Sequence, residues 1–248
     1  MSGAGPVEQV ALCKAAIRDT VTKDGVAVVR HAGLSPADFV TLLREFGALM
    51  FTEGETPVDG HPDLNIVTNK GRVTKPKSVF HSDTTYVRQP PSITALLAID
   101  VPKAGGATVF SDQYAAYDAL PASMKSRLDG ARVLHRVTGV TPGPHAETEC
   151  WHPLVRVHPD TGRSALFLTT PARCFALELA DGTTATDLIE PLYDASIRSD
   201  LTKRHLWSEG DVLFWDNRCT MHAADHSAVV GDRTLYRGMV QGEIPNAG

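Results

Sequence analysis

A chain of 248 residues, 42% hydrophobic and 21% charged, is long enough for one domain with a substantial core. Its net charge of −5 and pI near 6.0 leave no electrostatic footprint for nucleic acid or an anionic membrane surface. No apolar run reaches the roughly 20 residues that span a bilayer, so no membrane association is expected.

The N-terminal stretch MSGAGPVEQVALCK has no basic leader followed by a long apolar run, so a cytoplasmic protein is expected. "GVAVVR" (25–30) reads as a strand. A helix follows: Ser35 can cap it, Pro36 takes the first helical position, and Asp38 stands three residues after the cap. Phe39, Leu42, Leu43 and Phe46 recur at helical spacing, and Gly47 ends the pattern. Residues 53–62 and 70–78, rich in Gly, Pro, Lys and Thr, read as loops around a strand at 64–69. "SITALLAID" (92–100) is a strand. Residues 115–130 are helical, restarted by Pro121 and ended by Gly130, and 131–136 returns as a strand. Residues 137–152 lack periodicity and read as a long surface loop, a candidate lid or insert. "LVRVH" and "SALFLT" flank the turn "PDTG" as a hairpin. A helix fits about 186–199, and strands close the chain at 211–216 and 234–243. Strands and helices do not alternate regularly. A single mainly β domain with flanking helices, a sandwich or jelly roll, therefore fits better than a parallel α/β sheet.

The stretch "SVFHSDTTY" (78–86) holds His81 and Asp83 two residues apart. In extended backbone such residues point to the same side. An imidazole and a carboxylate aimed at one point are two of the three ligands of the two-histidine, one-carboxylate site that leaves positions open on Fe(II). The pair alone is most often a solvated polar pair. A third ligand must come from elsewhere among the ten histidines, and "DVLFWDNRCTMHAADHS" (211–227) offers His222, with His226 as competitor. Downstream, Arg233 and Arg237 stand four apart, which on a strand places them on one face. Arginine forks bind carboxylates in a bidentate way that lysine cannot match. Two of them beside a metal suit acidic molecules, although a lone arginine is most often a surface ion pair. Cys13, Cys150, Cys174 and Cys219 are scattered without a CxxC, which argues against structural zinc and a disulfide framework.

Taken together, "FHSDTTY" (80–86), "PPSITALLAIDVPKAGGATVFSD" (90–112), "AAYDALP" (115–121), "HPLVRVHPDTGRSALFL" (152–168) and "GDVLFWDNRCTMHAAD" (210–225) with the arginine pair resemble the TauD/TfdA-like family of Fe(II)- and 2-oxoglutarate-dependent dioxygenases. The resemblance runs over roughly residues 20–243, with the motifs in the family's order. It implies a double-stranded β-helix (jelly-roll, cupin-like) core. It implies His81, Asp83 and His222 as iron ligands, Thr108 and Arg233 as 2-oxoglutarate contacts, and Arg237 as the arginine that faces an acidic substrate. Tyr86 stands where the family often places an aromatic against the substrate; "KPKSVF" (75–80) stands where taurine-using members carry an asparagine, and Lys77 is the nearest polar match there. Arg88 is a further candidate contact for an acidic group.

The implied cofactors are Fe(II), 2-oxoglutarate as co-substrate, and O2. The implied reaction oxidises, by default hydroxylates, a small carboxylate- or sulfonate-bearing molecule with release of succinate and CO2. The carboxylate at position 83 argues against halogenation, and dimers or tetramers are usual for the family. The segment 47–55 has no histidine where taurine-using members carry one, so the resemblance does not extend to taurine itself. A reading of another class is a cupin-like metal-dependent hydrolase or isomerase, which would use the same His/Asp/His set without 2-oxoglutarate and without Arg233.

Overall fold

The computed structural model describes residue 10 and residues 13–71, 78–139 and 141–247. In chain order the elements are α1 (Lys14–Asp24), β1 (Val26–Val29), α2 (Pro36–Arg44), β2 (Leu49–Met50), β3 (Pro57–Val58), β4 (His61–Thr68), β5 (Pro91–Asp100), β6 (Thr108–Asp112), α3 (Gln113–Asp118) and α4 (Ala122–Leu128). They continue as β7 (Arg132–Arg136), β8 (Glu149–Pro153), β9 (Val155–Val157), β10 (Ser164–Leu166), β11 (Cys174–Glu178), α5 (Ile189–Ser196), β12 (Thr202–His205), β13 (Val212–Asp216), β14 (Thr220–Ala224) and β15 (Thr234–Gln241).

The main sheet runs in the order β1-β13-β5-β15-β4-β3, with β2 also paired to β15. Every strand pair in it is antiparallel. Alternate residues of its strands point to two different layers, as the pleat requires. From β5, β13 and β15, Ala95, Leu97, Val212, Phe214 and Val240 pack with Phe39, Leu42 and Leu43 of α2 and with Ile17 and Val21 of α1. The opposite residues, Leu96, Ala98, Leu213, Trp215 and Leu235, pack against Phe110 of β6. Thus the sheet β12-β6-β14 covers the second face. A third sheet, β11-β7-β8, joins α4, α5 and Met221 of β14 in another core cluster. Sheet upon sheet with helices outside is the mainly β jelly-roll arrangement expected from the sequence.

The local signals hold where their chemistry is complete. Ser35 and Asp38 form a reciprocal capping box, with Asp38 N donating to Ser35 Oγ at 3.1 Å, and Pro36 opens α2. The hairpin at residues 154–169 forms as β9 and β10, with Arg156 opposite Ala165. Four expectations need correction. The helix expected over 115–130 is two helices, α3 and α4, because proline at 121 supplies no amide hydrogen to continue the first. The loop expected over 137–152 ends in β8, which pairs with β7 from Arg136–Glu149 to Arg132–Pro153. That strand buries only His152 fully, so it shows no apolar alternation. The loop expected over 53–62 contains β3 and the start of β4. The helix expected over 186–199 is a short 3-10 turn followed by α5. The strands β6, β11, β12 and β14 and the helix α1 are elements that sequence periodicity does not show.

Candidate metal centre

Asp83 and His81 leave the loop before β5, and His222 is the middle residue of β14. Backbone pairing brings them together. His81 N donates to His222 O at 2.9 Å, and His222 N donates to His81 O at 2.8 Å, so the HxD segment adds to the edge of β14 as one residue pair. The intervening Ser82 points the other way, its hydroxyl 3.2 Å from both the Leu168 and Thr220 carbonyls. His81 and Asp83 therefore share a side, as expected. Just beyond, the β-branched Thr84 takes φ 44° and turns the chain, a conformation that costs about 1–3 kcal/mol and recurs at functional sites.

His81 Nε2 and His222 Nε2 lie 4.0 and 3.9 Å from Asp83 Oδ1. One candidate ligand atom from each of the three residues falls within 4.8 Å of the others, and the rings of His81 and His222 are 4.3 Å apart. Among the described residues these three form the one such group. His226 is not in it; its backbone amide donates to Ser78 Oγ at 3.2 Å. His152 is also elsewhere, its Nε2 3.0 Å from the Val87 carbonyl. The choice between His222 and His226 is thus made by strand pairing.

The protonation states suit a cation. Burial lowers the pKa of His81, against the pull of Asp83, and His81 Nδ1 sits 3.1 Å from the Val79 carbonyl. A proton on Nδ1 leaves the Nε2 lone pair facing Asp83. Burial and the neighbouring His81 push His222 down to about 3, with Asp83 opposing. His222 Nδ1 is buried without a partner. Burial would raise Asp83, but His222, Arg237, His81 and the Thr94 hydrogen bond outweigh it and hold the carboxyl at about 2. Two neutral imidazoles and one carboxylate are the donor states that metal binding requires.

A chain of buried polar contacts orients the carboxylate. Thr94 Oγ1 donates to Asp83 Oδ2 at 2.8 Å and accepts from Asn217 Nδ2 at 2.8 Å. Asn217 Oδ1 in turn accepts from Trp215 Nε1 at 3.1 Å and from the Asp83 amide at 3.3 Å. Reading the sequence passes over Thr94 and Asn217. The one signal is a threonine in the otherwise apolar strand "SITALLAID".

Arg233, one residue before β15, is 2% exposed. Its Nε donates to the Gly106 carbonyl at 2.9 Å and its Nη2 to Thr108 Oγ1 at 3.4 Å, while Trp207 Nε1 donates to the same hydroxyl at 3.1 Å. Among the described residues Arg233 has no carboxylate partner, and burial lowers its pKa to about 10. A buried guanidinium paired only with neutral groups is expensive unless an anion completes it.

Arg237, in β15 on the same side of the strand, is fully engaged. Nε donates to Asn65 Oδ1 at 2.9 Å, Nη1 donates to Asp83 Oδ1 at 3.1 Å, and Nη2 pairs with Glu55. Tyr86 is 6% exposed; burial raises its pKa first, then the charge of Glu55, with Arg173 and Arg237 acting in the opposite sense. Tyr86 and Arg237 therefore sit in one charged neighbourhood beside the triad. Lys77 lies outside the described residues. For Arg88 the contact seen is its backbone amide donating to Glu147 at 3.0 Å.

The jelly roll that carries the His81–Asp83–His222 group has relatives among known proteins. Residues 5–239 match the family described as "Taurine catabolism dioxygenase TauD, TfdA family". The 2,4-dichlorophenoxyacetate dioxygenase of Cupriavidus pinatubonensis, named as α-ketoglutarate-dependent, is 29% identical over 89% of this chain and 86% of its own. The α-ketoglutarate-dependent sulfate ester dioxygenase of Pseudomonas putida is 34% identical over 67% of this chain and 60% of its own. The crystal structure of a taurine dioxygenase from Burkholderia xenovorans superposes with a TM-score of 0.79 at 32% identity, covering 93% of this chain and 82% of that one. The fold is also that of AAD-2, solved with Mn(II) and N-oxalylglycine, with a TM-score of 0.75 at 24% identity and coverage of 93% and 88%. The chain belongs to the TauD/TfdA family and is an α-ketoglutarate (2-oxoglutarate)-dependent dioxygenase, an oxidoreductase of a class that uses Fe(II), 2-oxoglutarate and O2. The hydrolase or isomerase alternative finds no support among these relatives.

Proposed function

We propose that His81, Asp83 and His222 hold the iron, that Arg233 and Thr108 hold the distal carboxylate of 2-oxoglutarate, and that Arg237 and Tyr86 face a small anionic substrate that the enzyme hydroxylates. The observation that carries this reading is the buried Arg233, without a carboxylate partner among the described residues, four positions before Arg237, whose Nη1 donates to Asp83 Oδ1. A hydrolase would have no use for that cation.

Iron with bound 2-oxoglutarate and O2 supplies the oxidising chemistry and yields succinate and CO2. The chain's own residues supply place and charge. His81, Asp83 and His222 would hold the metal with three protein donors, a number that would leave room on Fe(II) for the co-substrate. Thr94 and Asn217 fix the Asp83 carboxylate, so the donor oxygen does not swing between rotamers. Trp215 and Phe110 stand behind the His222 ring, at 4.5 and 6.2 Å between centroids, and keep water from that side. Arg233 offers a desolvated fork whose Nε and Nη2 are already aligned by Gly106 and Thr108, so little ordering remains when a carboxylate arrives.

An anionic substrate is supported by the relatives, whose names specify a phenoxyacetate and sulfate esters. A cytoplasmic setting suits the four cysteines, all free thiols. The test is anaerobic addition of Fe(II) and then 2-oxoglutarate to the purified protein. The reading expects a weak visible charge-transfer band that appears only when both are present. Iron bound without any band would defeat the 2-oxoglutarate assignment and leave the metal centre standing.

A further inference from the structure

The hydroxyl of Thr108 is buried, and both of its lone pairs are taken. Trp207 Nε1 donates to it at 3.1 Å and Arg233 Nη2 at 3.4 Å. An indole N–H and a guanidinium are donors only, so neither contact can reverse. A threonine hydroxyl has one proton and two acceptor positions. The Thr108 proton is therefore left to donate, and among the described residues no acceptor takes it. Strand register places this cluster on the face that carries His222. Phe110 of β6 stands opposite His222 of β14, and their rings are 6.2 Å apart. Thr108 lies two residues before Phe110 in the same strand, so its side chain points to the same face. Trp207, Phe110 and Trp215 pack together there against the main sheet.

The turn that carries the indole is fastened on both sides of it. His205, the last residue of β12, stands opposite Thr108, and its ring meets the Trp207 ring edge-on at 4.6 Å. Leu206 between them is exposed. Arg30 Nη1 donates to the Leu206 carbonyl at 3.0 Å and to Asp211 Oδ2 at 2.7 Å, and the same carboxylate oxygen accepts from the Ser208 amide at 2.9 Å. The Arg233 guanidinium carbon lies 5.9 Å from the centre of the Trp207 ring. A hydroxyl in water can turn either way; this one is held by an indole that can only donate to it. The Thr108 proton and the Arg233 guanidinium are thus two neighbouring donors with no carboxylate between them among the described residues.

Resting on the reading of Arg233 and Thr108 as the contacts of the distal carboxylate of 2-oxoglutarate, we propose that Trp207 is a positioning residue for the co-substrate: its indole N–H holds the Thr108 hydroxyl as a donor, so that Thr108 and Arg233 present their hydrogens to one carboxylate together. The indole needs no contact of its own with the co-substrate. Its effect passes through the Thr108 hydroxyl and disappears with it.

The experiment is a double-mutant cycle on purified protein loaded anaerobically with Fe(II), with 2-oxoglutarate affinity read by titration of the charge-transfer band and by calorimetry. Trp207→Phe keeps an aromatic ring in the core and removes the N–H. It is expected to weaken 2-oxoglutarate binding about three- to tenfold, with iron affinity unchanged. In a Thr108→Val background the same change is expected to cost less than about twofold, because no hydroxyl remains to be oriented. In Thr108→Ser, which keeps the hydroxyl, the full cost of Trp207→Phe returns. Equal losses in wild-type and Thr108→Val protein, or 2-oxoglutarate affinity unaltered by Trp207→Phe, would overturn the proposal. Trp207→Leu, read in the same way, carries the cycle if Trp207→Phe does not fold. Arg233→Ala, run in parallel, separates the two readings. Unaltered affinity in that variant removes the co-substrate assignment beneath the proposal, whereas a loss there without one in Trp207→Phe sinks the proposal alone.

Discussion

Three residues carry the most direct consequences. Among the described residues Arg233 is buried with only neutral partners, so on the proposed reading the carboxylate of 2-oxoglutarate would complete a charge-assisted pair there. Such bonds contribute about 1.5–3 kcal/mol, and Arg233→Ala should weaken 2-oxoglutarate binding by roughly 10- to 100-fold while leaving iron affinity unchanged. Unaltered 2-oxoglutarate affinity by calorimetry would show that the arginine has another job. His222→Ala should lose both iron and turnover, whereas His226→Ala should keep both, since only His222 lies with His81 and Asp83; the reverse pattern would move the third ligand. Thr94→Val removes the hydroxyl that holds Asp83 Oδ2 at 2.8 Å and that receives Asn217. Outer contacts of this kind are typically worth 10- to 100-fold in metal affinity, so competitive chelation should show a loss in about that range with the secondary structure intact.

At the scale of the element, the lead-in to β6 couples backbone shape to the cofactor site. Gly105 and Gly106 take φ of 70° and 71°, left-handed values that suit glycine. A Cβ on Gly106 would come within 2.8 Å of Pro102 Cγ and 3.1 Å of Arg233 Cδ, and the Gly106 carbonyl is the acceptor for Arg233 Nε. Gly106→Ala should therefore lower thermal stability and raise the dissociation constant for 2-oxoglutarate together, by about 1–3 kcal/mol in stability. A drop in melting temperature with unchanged 2-oxoglutarate binding would separate the turn from the site. β15 acts similarly: one strand places Arg233 at its start and Arg237 beside Asn65 of β4, so its register sets both arginines at once.

Across the whole molecule, buried titratable groups link stability to pH. Burial, helped by Arg30, holds His205 at about 4 despite Asp211, and burial with His152 holds His135 at about 3. In the unfolded chain both titrate near 6.5. The unfolded state therefore binds more protons below that value, and the stability these residues contribute is lost progressively as pH falls from about 6.5 toward their folded values. Asp216 acts lower. Burial would raise it, but Arg218, with further help from His158, holds it at about 2. Its contribution is present above its unfolded value near 3.9 and fades as pH drops through the folded one. Urea midpoints should decline from pH 6.5 to 4 and steepen below; a flat profile over 6.5–4 would contradict the account. Asp216→Asn removes the carboxylate 2.7 Å from Arg218 Nη2 and 3.0 Å from His158 Nε2, leaving Arg218 with Asp160 and Glu243 as its remaining acidic partners, so the loss should fall at or below the low end of the range for a broken buried pair. Urea unfolding at neutral pH should show a loss of about 1–3 kcal/mol.

The sequence by itself determined the chemistry type, and it named the three residues that the structure brings together as a candidate metal group. A two-residue HxD spacing forces a shared side in extended backbone, and the same rule puts arginines four apart on one side where the chain is extended. The motif order then carried the family, and with it the jelly roll. Local helix signals such as the Ser35–Asp38 box also survived folding, because every partner lies within one turn. Tertiary structure decided what depends on distant partners. His222, and not His226, lies with Asp83 through its backbone pair with His81, 141 positions away. Thr94 and Asn217 became supports for Asp83, and Glu55 came to rest on Arg237, through strand register and turn geometry that no nearby residue encodes. β14 and β6 escaped sequence reading for the same reason. Their residues are all buried or half-buried, covered by the main sheet through Phe110 on one side and by helices and the β11-β7-β8 sheet around Met221 on the other, so no apolar–polar alternation marks them.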